Sequence, residues 1–209
     1  MHAKQFRALA LAGGLVGWHG ALSARLPDRV RPLANAAVGA GLVAATRAPL
    51  GLRSPQLWSG LRWGLAAAAP VSAGVAGSTA LKPVRAAMAE RDLPAASSWL
   101  VFRIPVGTVW SEEAAFRGAL GTVAADALGP TGGRLLQSLA FGLSHIADAR
   151  RTGEPVIGTV VVTGVAGWIF AVLRERSGSL AAPMLAHLAI NEAGAVAALA
   201  VAALAAQPH

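Results

Sequence analysis

Two adjacent carboxylates, an arginine, two histidines and an asparagine stand at helical spacings in a chain that otherwise reads as membrane-spanning. The stretch Ser111-Glu112-Glu113-Ala114-Ala115-Phe116-Arg117-Gly118 concentrates the charges. A charge at the bilayer centre costs roughly 2.5–3.5 kcal/mol on insertion scales, so an ionisable residue there is a functional candidate by default. Glu113 and Arg117 are four apart and lie one above the other on a helix, where they can pair. Glu112 is turned about 100° from Glu113 and is left free to face something else. One carboxylate is therefore expected to be held as structure and the other offered to chemistry.

The remaining polar residues fall on two further apolar segments. Phe141 and His145 are four apart, which sets an aromatic ring beside the imidazole. His187 and Asn191 share a face in the same way. A carboxylate, two histidines and an amide converging in a bundle can hold a divalent metal, since imidazole and carboxylate are usual zinc ligands. They can equally activate water directly, with glutamate as general base. Taken singly, each has a structural role open to it: an interhelical hydrogen bond for a histidine or Asn191, an ion pair for Glu113 and Arg117. Their coincidence on separate segments favours joint function. Glu192, beside Asn191, points about 100° away. Gly-x-Ser-x-Gly is missing, and Ser144 and His145 are sequence neighbours facing different ways, so a serine–histidine hydrolase is not expected.

The elements that must position these residues are helices in a bilayer. The chain is 55% hydrophobic and 13% charged, against about 25% charged in a soluble domain. Cysteine is absent, which excludes disulfides, thiolate metal sites and cysteine nucleophiles. The net charge of +8 is scattered between apolar runs, with no basic cluster longer than two residues. Such charges flank helices and meet lipid head groups, so the lipid bilayer is an expected partner and nucleic acid is not.

Apolar runs predict spans at 8–22, 33–45, 60–81, 98–128, 134–147, 156–173 and 181–206. The fold class expected is all-α: a polytopic membrane bundle of about seven helices (six to eight) with a cavity inside. The first run is read as an uncleaved helix with His19 at its interfacial end, and Pro70 as a kink in the third. Residues 82–97 read as an interfacial connection. Residues 98–128 are too long for one straight span, so Pro105 and Gly107 are expected to break it, with Ser111 capping the helix after the break. Residues 129–133 and 148–155 read as a turn and a polar loop. Lys and Arg divide evenly between the two sides, so orientation is not set. The whole, 1–209, reads as a single integral-membrane domain, with N-terminal spans in 1–94 and a motif-bearing core in 95–195.

These residues resemble the signature of the CAAX prenyl protease and bacteriocin-processing family, also called the abortive-infection family. Its Glu-Glu-x-x-x-Arg motif stands as Glu112-Glu113-Ala114-Ala115-Phe116-Arg117, its Phe-x-x-x-His as Phe141 to His145, and its His-x-x-x-Asn as His187 to Asn191. The resemblance implies an intramembrane endopeptidase, of metalloprotease or glutamate type, in which Glu112 deprotonates water with help from His145. His187 and Asn191 would complete the cavity as oxyanion-stabilising residues or metal ligands. Glu113, Arg117 and Phe141 would support the site. Glu112, His145 and His187 could hold a divalent metal such as zinc. The substrate implied is a membrane-associated protein or peptide, and the location a membrane, read here as a bacterial plasma membrane. The same residue types also suit a proton- or cation-coupled transporter, or a non-catalytic membrane scaffold that keeps the fold.

Overall fold

The computed structural model describes residues 2–206, and among them there is no strand. The seven expected segments form helices in the expected order. Two of them, Val156–Ser177 and Ala181–Ala205, are long and apolar enough to cross a membrane, with mean hydropathy 2.3 and 1.8. A third joins them if Gln56–Ser78 and Lys82–Ala89, bent by 87° at their junction, are one broken span. Ala3–Gly17 and Arg31–Thr46 have only 15 and 16 residues, and Gly121–Ser144 is kinked. Ile157, Val162, Val196 and Leu204 stand exposed on the outer faces of the last two helices, as lipid-facing side chains do. The chain is an all-helical integral membrane bundle.

Small residues let its helices approach closely, which is how bundles pack where lipid is as apolar as leucine. A Cβ at Gly39 would lie 2.9 Å from the Ser111 carbonyl oxygen, and one at Gly107 would lie 2.7 Å from Pro32 Cβ. Helix Arg31–Thr46 is thus clamped onto the helix that carries the carboxylates. Gly64 meets Leu185 in the same manner, pairing Gln56–Ser78 with the last helix.

The expected break at Pro105 and Gly107 does not occur. Helix continues through both, wound as π-helix over Trp99–Trp110 and again over Glu113–Leu120. Wider winding tolerates the missing proline donor without ending the helix, and π segments recur at functional sites. Gly107 is a packing glycine rather than a breaker. Ser111 caps nothing; its hydroxyl donates to the Gly107 carbonyl at 2.6 Å inside the continuous helix.

The expected turn is a single residue, Gly129, at φ 75°, after which Pro130 restarts the helix. The two arms fold back so tightly that a Cβ on Gly133 would sit 2.6 Å from the Ala125 nitrogen. The polar loop expected at 148–155 is largely a short helix, Ile146–Thr152, ended by Gly153 at φ 73°. Asp148 in its first turn and Arg150 and Arg151 in its last suit the helix dipole. The connection 82–97 likewise holds a helix, Lys82–Ala89.

Candidate active site

The motif helix runs through the middle of the bundle, and its residues from Ala114 to Leu120 are all buried. Winding puts Glu113 and Arg117 on the side facing helices Val156–Ser177 and Ala181–Ala205. Glu113 is fully buried, and its Oε1 lies 3.2 Å from Arg117 NH1. No guanidinium N–H is directed well enough at an acceptor to make a hydrogen bond, so the attraction is Coulombic. The cation is instead covered by ring faces, with its carbon 4.0 Å from the Phe141 centroid and 5.0 Å from that of Phe170. Contact of this kind is worth about 2 kcal/mol when desolvated. A Cβ at Gly167 would stand 3.2 Å from Arg117 NH2, so the pocket around the cation is tight.

The same carboxylate oxygen reaches across the bundle to His187, whose Nδ1 is 2.8 Å away. Glu113, neutralised by a permanent cation, is the acceptor, so Nδ1 carries the proton. The ring lies stacked on Phe170 at 5.0 Å and edge-on to Phe141 at 6.1 Å. Held in this way, His187 turns Nε2 toward Glu112, 3.9 Å from Oε2.

Glu112 points the other way, into a cavity of about 320 Å³, and its side chain is 15% exposed. His145 lines the same cavity. It occupies the turn between helices Gly121–Ser144 and Ile146–Thr152. Its Nδ1 lies 2.7 Å from the Phe141 carbonyl oxygen. A carbonyl only accepts, so Nδ1 donates and the neutral ring keeps a lone pair on Nε2. Phe141 backs this ring edge-on at 4.7 Å. One aromatic side chain thereby braces Arg117, His145 and His187 together.

The packing thus buries and pairs Glu113 and leaves Glu112 on the cavity wall. Asn191 stands elsewhere than expected: its Nδ2 donates to the His187 carbonyl at 3.1 Å, and it does not line the cavity. The amide fastens one helical turn. Glu112, His145 and His187 do not assemble as a ligand set either. Among the described residues no three His, Asp or Glu side chains stand close enough to hold a metal ion. His187 has given Nδ1 to Glu113 and sits behind Glu112 rather than on the cavity wall.

His19, read as an interfacial residue, proves to line the cavity with Glu112 and His145. Sequence spacing carries no signal for it, because only the packing of the first helix against the motif helix brings it there. Arg31, Arg103 and Arg151 also line this cavity. Each faces a carboxylate: Arg31 and Arg103 share Asp28 at 2.9 and 3.7 Å, and Arg151 meets Asp148 at 2.8 Å.

The chain matches no curated protein and no solved structure. A family model described as type II CAAX prenyl endopeptidase Rce1-like matches residues 94–193, the stretch that contains Glu112, Glu113, Arg117, His145, His187 and Asn191. Residues 94–193 are thus similar to the Rce1-like type II CAAX prenyl endopeptidases, in keeping with the family that the three motifs resemble.

Proposed function

We propose that this protein is an intramembrane endopeptidase in which Glu112 activates water against a peptide bond of a membrane-associated protein or peptide. The observation that carries the reading is the unequal placement of two neighbouring carboxylates. Glu113 is sealed and neutralised, while Glu112 is partly exposed on a cavity shared with His145. A general base must reach water, and of the two carboxylates it is Glu112 that lines the cavity.

The chemistry is set by the side chains present. Glu112 takes a proton from water as the water oxygen adds to the scissile carbonyl carbon and the C=O electron pair moves onto oxygen. His145, its Nδ1 proton committed to Phe141, offers the Nε2 lone pair to the second water hydrogen and orients the nucleophile. When the intermediate collapses, the C–N bond breaks and the amine leaves with the proton that Glu112 took. His187, fixed by its bond to Glu113, packs behind the Glu112 carboxylate at 3.9 Å, and Asn191 fastens the turn that bears His187. No step requires a metal, and the donors as placed do not form a three-ligand site.

The test is cleavage of a quenched peptide library by the purified protein in nanodiscs, with and without a chelator, beside Glu112→Gln. Activity lost in the variant supports the reading. Activity lost to the chelator and restored by zinc would show that the donors regroup around a metal, and would overturn the metal-free assignment. A variant as active as wild type would sink the role given to Glu112.

A further inference from the structure

The first helix ends in a π-wound turn, Trp18–Leu22, outside the segment that matches the protease family. This turn is pinned from two sides. Asn35 on the next helix accepts hydrogen bonds through one oxygen from Trp18 Nε1 at 3.0 Å and from the Ser23 hydroxyl at 2.8 Å. Arg31 Nε donates to the Ser23 carbonyl at 3.1 Å, and its NH2 to that of Leu26 at 3.0 Å. Between these pins stands His19.

His19 is packed against an aromatic ring but carries no hydrogen bond among the described residues. Its ring rests against Phe116 at 5.5 Å, and Phe116 is edge-on to Phe141 at 5.1 Å, which in turn backs His145. Both imidazoles of the cavity are thus set on one aromatic row. Unlike His145 and His187, His19 makes no hydrogen bond among the described residues, and it lines the cavity that holds Glu112 and His145. Neutral imidazole carries one N–H donor in either tautomer. The site needs such a donor. Adding water to a carbonyl leaves a negative oxygen; Asn191 does not line the cavity, the arginines there face Asp28 and Asp148, and His145 presents a lone pair.

We propose that His19 is a further catalytic residue, donating its N–H to the oxygen of the tetrahedral intermediate from the part of the cavity wall that the N-terminal helix supplies. The inference rests on the endopeptidase reading. It assigns to the N-terminal helix a direct part in the reaction, and it makes residues 94–193 chemically incomplete without that helix.

Three variants test it in the full-length protein in nanodiscs, with kcat, KM and melting temperature measured for each. His19→Phe keeps the packing on Phe116 and removes the donor; His19→Gln restores an N–H; Glu112→Gln is the control for the reading itself. The expected result is a kcat about 10²–10³-fold lower in His19→Phe, the usual cost of one oxyanion donor. KM and melting temperature should stay near wild type, and His19→Gln should recover at least a tenth of the loss. A kcat unchanged in His19→Phe, with Glu112→Gln inactive, overturns the inference and leaves the endopeptidase reading standing. Equal loss in His19→Phe and His19→Gln with lowered melting temperature also overturns it, since that is a structural role. Wild-type protein no more active than Glu112→Gln overturns both.

Discussion

Glu113 and His187 are joined by a 2.8 Å hydrogen bond across 74 residues of chain, and the same carboxylate oxygen faces Arg117 at 3.2 Å. One buried atom therefore ties the motif helix to the last helix, neutralises a cation, and sets the orientation of an imidazole. Glu112, one residue earlier, is spared all of this and faces the cavity.

Arg117 is the first consequence. Removing one partner of a buried ion pair leaves the other charge uncompensated, at about 3–5 kcal/mol. Arg117→Ala should thus lower the melting temperature in detergent well below that of Glu112→Gln, which leaves the pair intact. Equal shifts in a thermal melt of the two variants would refute the division of labour between the carboxylates.

Phe141 should couple stability to rate. Its ring covers Arg117 at 4.0 Å and backs His145 at 4.7 Å. Phe141→Leu keeps the apolar bulk and loses the ring face, so a stability loss of about 1–2 kcal/mol is expected. A fall in kcat should accompany it, because His145 loses its backing. Denaturant melts and turnover on one preparation check both, and a variant that loses stability with kcat intact would remove Phe141 from the support of His145.

Two glycines on one helix separate packing from propensity. A Cβ at Gly39 meets the Ser111 carbonyl at 2.9 Å, whereas one at Gly41 meets nothing within 4 Å. Gly39→Ala should destabilise by about 1–3 kcal/mol through overpacking against the motif helix. Gly41→Ala should be neutral or stabilise by up to about 1 kcal/mol, as alanine usually does in a helix interior. The two melting temperatures, measured side by side, decide whether this contact clamps the motif helix.

Much of this arrangement was legible in the sequence, and for definite reasons. Glu113 with Arg117 and Phe141 with His145 lie four apart, and helical geometry alone stacks such pairs. Apolar runs located the helices because lipid demands them. The π winding was not legible, since it leaves the apolar pattern unchanged and only relocates hydrogen bonds; Pro105 and Gly107 therefore read as a break. The fate of Asn191 depended on a choice between its own helix backbone and the cavity, which spacing does not decide. His19 was hidden for a different reason. Its place in the cavity comes from contacts between the first helix and residues about a hundred positions away, and a histidine at a helix end gives no hint of them.

The most direct measurement pairs cleavage rate with melting temperature for wild type, Glu112→Gln and Glu113→Gln in nanodiscs. The expected result is that Glu112→Gln abolishes cleavage while melting like wild type, and that Glu113→Gln melts lower because Arg117 and His187 lose their common partner. Cleavage by Glu112→Gln at the wild-type rate would contradict the assignment of the offered carboxylate and, with it, the proposed mechanism.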